Sequence, residues 1–426
     1  MNVGVRETDD GPREELSWAV FDGLAAMGSE PAVLERIISD VRRGGAAEPL
    51  VDSSSYETVE RFLSSTDISW FYDLERLMPL VLTAMREEMD SNQATMFPVD
   101  PDALYSALGL DALRAAFLGV RLDADKLSAD MGVSYLQNRG LVKVLAYGPG
   151  EAPRPNFIPT DLVSFGTASF DFAAAWGAVE EILNGINPGL LAMGGAQLNT
   201  MIQNAGVELD LRRDLLENLG GDIIMGQSPP TLPSETQGQP ELFQQSQVVA
   251  FSVQQRQSFE LVLETLKGMA GQGSELFDER EYLGTTIYTL KLEDATGTVA
   301  YALTDKHFLL SFGGPTALES MLVSMADPGD SVWKAPKVRS AVSVLPDGAA
   351  AISYQDLAVT GLTMFQAIAQ MASMSPDGEL TICDPEEVPS QDVLASYLGP
   401  AVSGVYRDQK SLVVRMKVLP AEGRAE

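Results

Sequence analysis

A short apolar run that closes on an aromatic–acidic step, followed by a helical run, occurs three times in this chain. The first is Ile68-Ser69-Trp70-Phe71-Tyr72-Asp73-Leu74. The second is Leu162-Val163-Ser164-Phe165 with Phe170-Asp171-Phe172, and the third is Ala350-Ala351-Ile352-Ser353-Tyr354-Gln355-Asp356-Leu357. Each is answered downstream by a Leu-Gly step ahead of another apolar run, at Leu108-Gly109, Leu219-Gly220 and Leu398-Gly399. Self-similarity constrains architecture before it says anything about chemistry, because each copy must bury its apolar face against a neighbour. The pattern predicts an α+β fold of internally repeated strand–helix–helix–strand–strand units, forming antiparallel sheets covered by helices.

Both recurring steps have a plain physical cause. An Asp at a strand-to-helix junction accepts hydrogen bonds from the orphan N–H groups of the first turn, so Asp73, Asp171 and Asp356 read as N-caps. Glycine tolerates the left-handed conformation that ends many helices, so Gly109, Gly220 and Gly399 read as C-caps. Gly220-Gly221 precedes a strand and no Gly-Lys-Ser/Thr follows, which excludes a phosphate loop.

Leu16, Val20 and Leu24, then Val33, Leu34, Ile37, Ile38 and Val41, recur at helical spacing, so 16–42 is expected to be helical with an interruption at Gly28-Ser29-Glu30-Pro31. Strand 68–72, helix 74–90, strands 114–122 and 130–137, and strand 141–147 follow. Asp123-Ala124-Asp125-Lys126 lacks the Gly and distal Glu of a calcium loop and reads as a turn. Gly148-Pro149-Gly150-Glu151-Ala152-Pro153-Arg154-Pro155 is the clearest linker. Beyond it come strand 162–170, helices 172–184, 189–205 and 210–219, strand 221–226, and a Pro/Gln/Ser-rich loop from Ser228 to Pro240. Strand 247–254, helix 256–270 and an antiparallel meander over 281–312 complete this part. The division expected is an N-terminal partial repeat lobe over 1–148, a linker over 149–156, a complete repeat lobe over 157–420 and a tail over 421–426.

A second relation links the halves. Gly28-Ser29-Glu30-Pro31-Ala32-Val33-Leu34-Glu35 matches Gly313-Gly314-Pro315-Thr316-Ala317-Leu318-Glu319, and Asp102-Ala103-Leu104 matches Asp392-Val393-Leu394 at a similar offset. Residues 24–137 therefore read as a second copy of 309–418, with the upstream half of that first unit expected to be missing before Met1.

The 426 residues carry 60 acids against 29 bases, a net charge of −31. Such a field repels phosphate backbones and anionic lipid surfaces, so nucleic-acid binding is not expected. One cysteine, Cys383, and one histidine, His307, exclude an intramolecular disulfide and a Cys/His zinc site. A Ser-His-Asp triad would need His307, which is expected in an exposed hairpin turn, and no Gly-x-Ser-x-Gly elbow exists. No catalytic, cofactor-binding or metal-ligating residue is therefore assigned. No apolar run approaches a membrane span, and residues 1–20 lack the basic and apolar regions of a signal peptide. Methionine suits adaptable apolar surfaces, and two Met-rich stretches could wall a groove: Met193 and Met201 in one, Met364 and Met371 in the other.

Phe157-Ile158-Pro159-Thr160-Asp161, Asp210-Leu211 to Leu219-Gly220-Gly221-Asp222, Tyr301 to Leu309, and Leu345-Pro346-Asp347 before Tyr354-Gln355-Asp356-Leu357 carry a resemblance. In this order they resemble the bacterial Domain of Unknown Function 3352 family, over about residues 20–420. The resemblance implies a longer protein, often with an export signal or membrane anchor, and hence a periplasmic or envelope location. It implies no catalytic residue, because the family defines none. The leading expectation is a non-enzymatic envelope scaffold or binding protein with protein partners. A carrier of lipid or another apolar molecule is the alternative, and a hydrolase with a carboxylate site is the third reading.

Overall fold

The computed structural model describes residues 2–6, 14–21, 23–45, 49–91, 99–123, 126–189, 210–230, 245–269, 277–290, 298–329, 331–373 and 389–421. The chain forms two compact units, Met1–Arg61 and Phe62–Glu426. In the first, β1 (Asn2–Arg6), β2 (Glu14–Phe21) and β3 (Leu24–Gly28) make an antiparallel sheet in that order. Helix α1 (Pro31–Arg42) packs on β2 and β3 and buries Leu34. The N-terminal half of the helix expected over 16–42 is thus a hairpin. The four-residue spacing of Leu16, Val20 and Leu24 is also a multiple of the strand period of two, so it does not separate helix from strand. The strand reading shows in burial: Ser17 and Ala19 are buried, whereas Trp18 and Val20 are exposed. The short helices α2 (Ser54–Glu57) and α3 (Glu60–Leu63) follow.

The second unit is built on one antiparallel sheet. β4 (Ile68–Asp73) leads into α4 (Leu74–Ser91) and α5 (Pro101–Ala107), then β5 (Leu113–Leu122) and β6 (Leu127–Tyr135). After α6 (Leu141–Val144), β7 (Ser164–Ser169) and α7 (Phe172–Ile186) precede a π-helical turn, Leu211–Leu216. β8 (Leu219–Gln227), β9 (Gln247–Val253) and α8 (Arg256–Met269) come next. The meander is β10 (Phe277–Tyr282), β11 (Thr285–Leu290), β12 (Val299–Leu303) and β13 (His307–Phe312). Helices α9 (Thr316–Ala326) and α10 (Pro336–Val342) lead to β14 (Ala351–Gln355), α11 (Leu357–Ser373), α12 (Gln391–Ala395), β15 (Ala401–Arg407) and β16 (Ser411–Val418).

The thirteen strands lie in the order β10-β11-β12-β13-β9-β8-β7-β14-β15-β16-β6-β5-β4. Three groups within it, β4-β5-β6, β7-β8-β9 and β14-β15-β16, share one order of elements: a strand, helices, then two strands. The sheet is single where the sequence suggested two lobes. β6 pairs with β16 from Ser134↔Ser411 to Leu127↔Val418, so the segments on either side of 149–156 share a ladder. An unpaired strand edge is satisfied by another edge, which the linker's composition does not reveal. Residues 141–147, expected as strand, form the single turn α6 and one isolated bridge, Tyr147↔Phe170. The expected helix 189–205 and most of the loop from Ser228 to Pro240 lie outside the described residues, as does Cys383.

One face of this sheet is a buried core. The paired positions Ile352, Thr167, Ile224, Ala250, Leu309, Ala302 and Ile287 run across seven strands, and each is 6% exposed or less. Ala317, Leu318, Met321 and Leu322 of α9, with Val338, Ala341 and Val342 of α10, belong to the same cluster.

Candidate functional site

The opposite face of the sheet is as apolar as the core face, but it is not closed. Successive register partners give the row Trp70, Leu118, Met131, Val414, Val405, Ala351, Ala168, Ile223, Phe251, Phe308 and Leu303. It crosses eleven strands without one polar residue, a path of about 50 Å at the usual strand spacing. The neighbouring row on the same face contains Ile68, Val120, Ala129, Met416, Ser403, Ser353, Gly166, Met225 and Val249. Its two serines satisfy each other, Oγ to Oγ at 2.7 Å.

Cover on this face is uneven. At the β9–β13 end, Phe172 of α7 meets Phe251 edge-on at 5.8 Å, and Phe259 of α8 meets Phe308 at 5.1 Å. Toward the middle and the β4 end the side chains meet solvent: Met225 is 46%, Met131 41% and Trp70 59% exposed. Exposed large apolar side chains that line one continuous surface mark interaction sites, unlike singly scattered ones.

The residues singled out from sequence sit around this face as supports. Asp171 accepts from the Ala174 N–H at 2.8 Å and Asp73 from the Arg76 N–H at 3.2 Å. Asp356 accepts from the Ala358 and Val359 N–H groups at 3.1 and 3.4 Å, and pairs with Lys337 Nζ at 2.8 Å. Each thus ends the first strand of a group and starts its helix. Gly109 is left-handed, φ 71°, after α5. Gly220 and Gly399 are not left-handed, which corrects the C-cap reading. Gly220 lies inside β8, where a Cβ would sit 2.2 Å from Ser252 Oγ, and at Gly399 a Cβ would sit 2.1 Å from the Leu419 carbonyl. At Gly109 the corresponding contact is the Arg139 carbonyl at 2.8 Å. All three glycines therefore admit the chain near the end of their own group's third strand, and close approach is the shared cause of the Leu-Gly steps.

Of the proposed groove methionines, Met364 is exposed on α11. Met371 is on the same helix with its side chain outside the described residues, and Met193 and Met201 lie outside them entirely. Sequence reading missed the caps Asp100, Asp210 and Ser390, each of which accepts a first-turn N–H. Asp100-Pro101 carried the signal for one, an N-cap residue followed by proline at the first helical position.

His307 is not an exposed turn residue. It opens β13, half-buried, with its ring 4.8 Å from Phe157 edge-on. Burial lowers its pKa, partly opposed by the nearby Asp222. Among the described carboxylates the one resolved shift is downward, at Asp214, held by hydrogen bonds from Arg213 at 2.7 and 2.8 Å. No group of three or more metal-ligating side chains occurs among the described residues. A cleft of about 260 Å³ opens beside α8, lined by Tyr288, Tyr301, Leu303, Glu260 and Glu264. Lys267 lies over the Tyr288 ring at 3.5 Å and pairs with Glu264 at 3.0 Å, so this cation is already held by its neighbours. No helix among the described residues is long and apolar enough to cross a membrane.

No family model matches the chain, and no curated protein does. Among solved structures it is similar to two crystal forms of TP0453. Form I matches at 9% identity and a TM-score of 0.29, covering 64% of this chain and 81% of that one. Form III matches at 8% identity and a TM-score of 0.25, covering 63% and 95%. Similarity at that level carries no argument about fold or function.

Proposed function

We propose that this chain is a non-enzymatic binding protein of the cell envelope whose open sheet face takes up the acyl chains of a lipid or a comparable apolar molecule. The observation that carries the reading is the contrast between the two faces of one sheet. Both are apolar over many strands, yet one is sealed by α9 and α10 and the other leaves Trp70, Met131 and Met225 in contact with water. Leaving apolar area in water costs about 25 cal/mol per Å², so a ligand that covers it is bound favourably. The net charge of −31 disfavours docking on an anionic bilayer. The envelope location rests on the resemblance to the Domain of Unknown Function 3352 family.

Two measurements test this. A native mass spectrum of protein purified without detergent from its own type of cell should retain a lipid-sized adduct. Stearate carrying a nitroxide should quench tryptophan fluorescence saturably, and Trp70→Phe should remove most of the quenching. A bare protein together with non-saturable quenching would overturn the reading.

A further inference from the structure

The three strand groups alternate in a regular way. β7 and β14 each open their group and pair with each other, whereas β16 and β6 each close theirs and pair with each other. The next step outward calls for an opening strand to meet another opening strand. β4 opens its group and is the last strand of the sheet, so among the described strands that place is unfilled. We propose that β4 pairs antiparallel with β4 of a second copy of this chain, making one sheet that continues through a two-fold dimer.

The sequences of the two sheet edges support this. The far edge, β10, carries Asp278, Glu279, Arg280 and Glu281 in its middle, and charges of that kind block strand addition. β4 reads Ile-Ser-Trp-Phe-Tyr-Asp, with Ile68, Trp70 and Tyr72 exposed. Its single charge, Asp73, is turned to the helix that it caps. Nothing in this strand guards the edge, and its composition strongly favours β pairing.

Two-fold symmetry and the internal template fix the register. An isologous antiparallel pair places each residue opposite one of the same face, so the paired numbers sum to an even value. Within the sheet, Thr167 faces Ile352, and each lies four residues before its group's capping Asp. The residue four before Asp73 is Ser69. In the dimer Ser69 therefore lies opposite its own copy, and Ile68 of each copy lies opposite Trp70 of the other. Both faces of the sheet then continue across the axis, including the apolar row that ends at Trp70. Each copy carries a charge of −31, so their long-range repulsion opposes this contact and salt should strengthen it. The inference does not depend on the ligand reading, since a strand pair forms with or without an occupied face.

Sedimentation velocity on the full chain tests it, at about 0.05 and 0.5 M salt, which spans strong and weak screening. The expected result is a concentration-dependent dimer that is tighter at the higher salt. Ser69→Lys sets two ammonium groups against each other on the axis and should weaken association at least tenfold, with a melting curve unchanged at concentrations where the natural chain is monomeric. On a Cys383→Ser background, Ser69→Cys should form a disulfide-linked dimer under mild oxidation. Tyr72→Cys should not, because its two copies lie about 20 Å apart in this register. A monomer at every concentration and both salts would overturn the proposal, as would a dimer indifferent to Ser69→Lys or a Tyr72→Cys cross-link as fast as that of Ser69→Cys. Nitroxide-stearate quenching of the monomeric Ser69→Lys variant then reports separately on the apolar face.

Discussion

Leu283 has φ 49°, the one positive value among the described non-glycine residues. It shares a two-residue turn with Gly284, φ 75°, between β10 and β11. Hairpin turns of this kind demand left-handed backbone at both positions, and Asn meets that demand where a γ-branched apolar residue does not. Leu283→Asn should therefore stabilise the protein by about 0.5–1 kcal/mol in chemical denaturation, since the exposed side chain gives up little on removal. His307 makes a pH prediction of equal simplicity, because the chain has no other histidine. Its folded-state pKa is lowered by burial, so neutral His307 is the form the native state favours. The stabilisation is complete above the unfolded value of about 6.5 and is lost as pH falls through the lower folded value. Stability followed between pH 7 and 5 should decline less steeply in His307→Gln than in the natural chain.

Helix starts were the most legible part of the sequence. The aromatic–Asp steps named three junctions, and all three aspartates accept a hydrogen bond from the first turn of the helix that follows. Asp171→Ala should cost about 1 kcal/mol and Asp171→Asn much less, as read from urea midpoints, because the amide oxygen keeps the acceptor. The glycine steps were legible as positions but not as causes. A Leu-Gly pair looks the same whether it answers a left-handed backbone, as at Gly109 alone, or the close approach of another segment, as at all three glycines. Only the second requires knowing what lies across space. The hairpin at β2 and β3 was misread for a related reason: its apolar residues recur every four positions, and its burial falls on the small Ser17 and Ala19 instead. The candidate site was the least legible. A row such as Trp70, Leu118, Met131 and Val414 draws one residue from each strand, and its members are brought together by register, which no local pattern encodes.

One antiparallel sheet with a sealed face and an open face should respond to the same insult in two different ways. Ala250 lies on the sealed side, fully buried, with Ile224 and Leu309 opposite it on the neighbouring strands. Ala250→Asp places a carboxylate among apolar side chains that offer it no partner, and burial of an unpaired charge costs several kcal/mol. Loss of the cooperative unfolding transition is the expected outcome. Met131 lies on the other side, paired with Leu118 and Val414 and 41% exposed. Met131→Lys keeps its methylene stem on the sheet and lets its ammonium reach water, so its cost should stay below about 1 kcal/mol. The added cation also lies in the field of a chain with net charge −31, which favours it. Binding is where Met131→Lys should act, since an acyl chain along the row would have to desolvate that ammonium, and nitroxide-stearate affinity should fall at least tenfold. Equal destabilisation by the two substitutions would mean that both faces are core, and the open face would then have no ligand to receive.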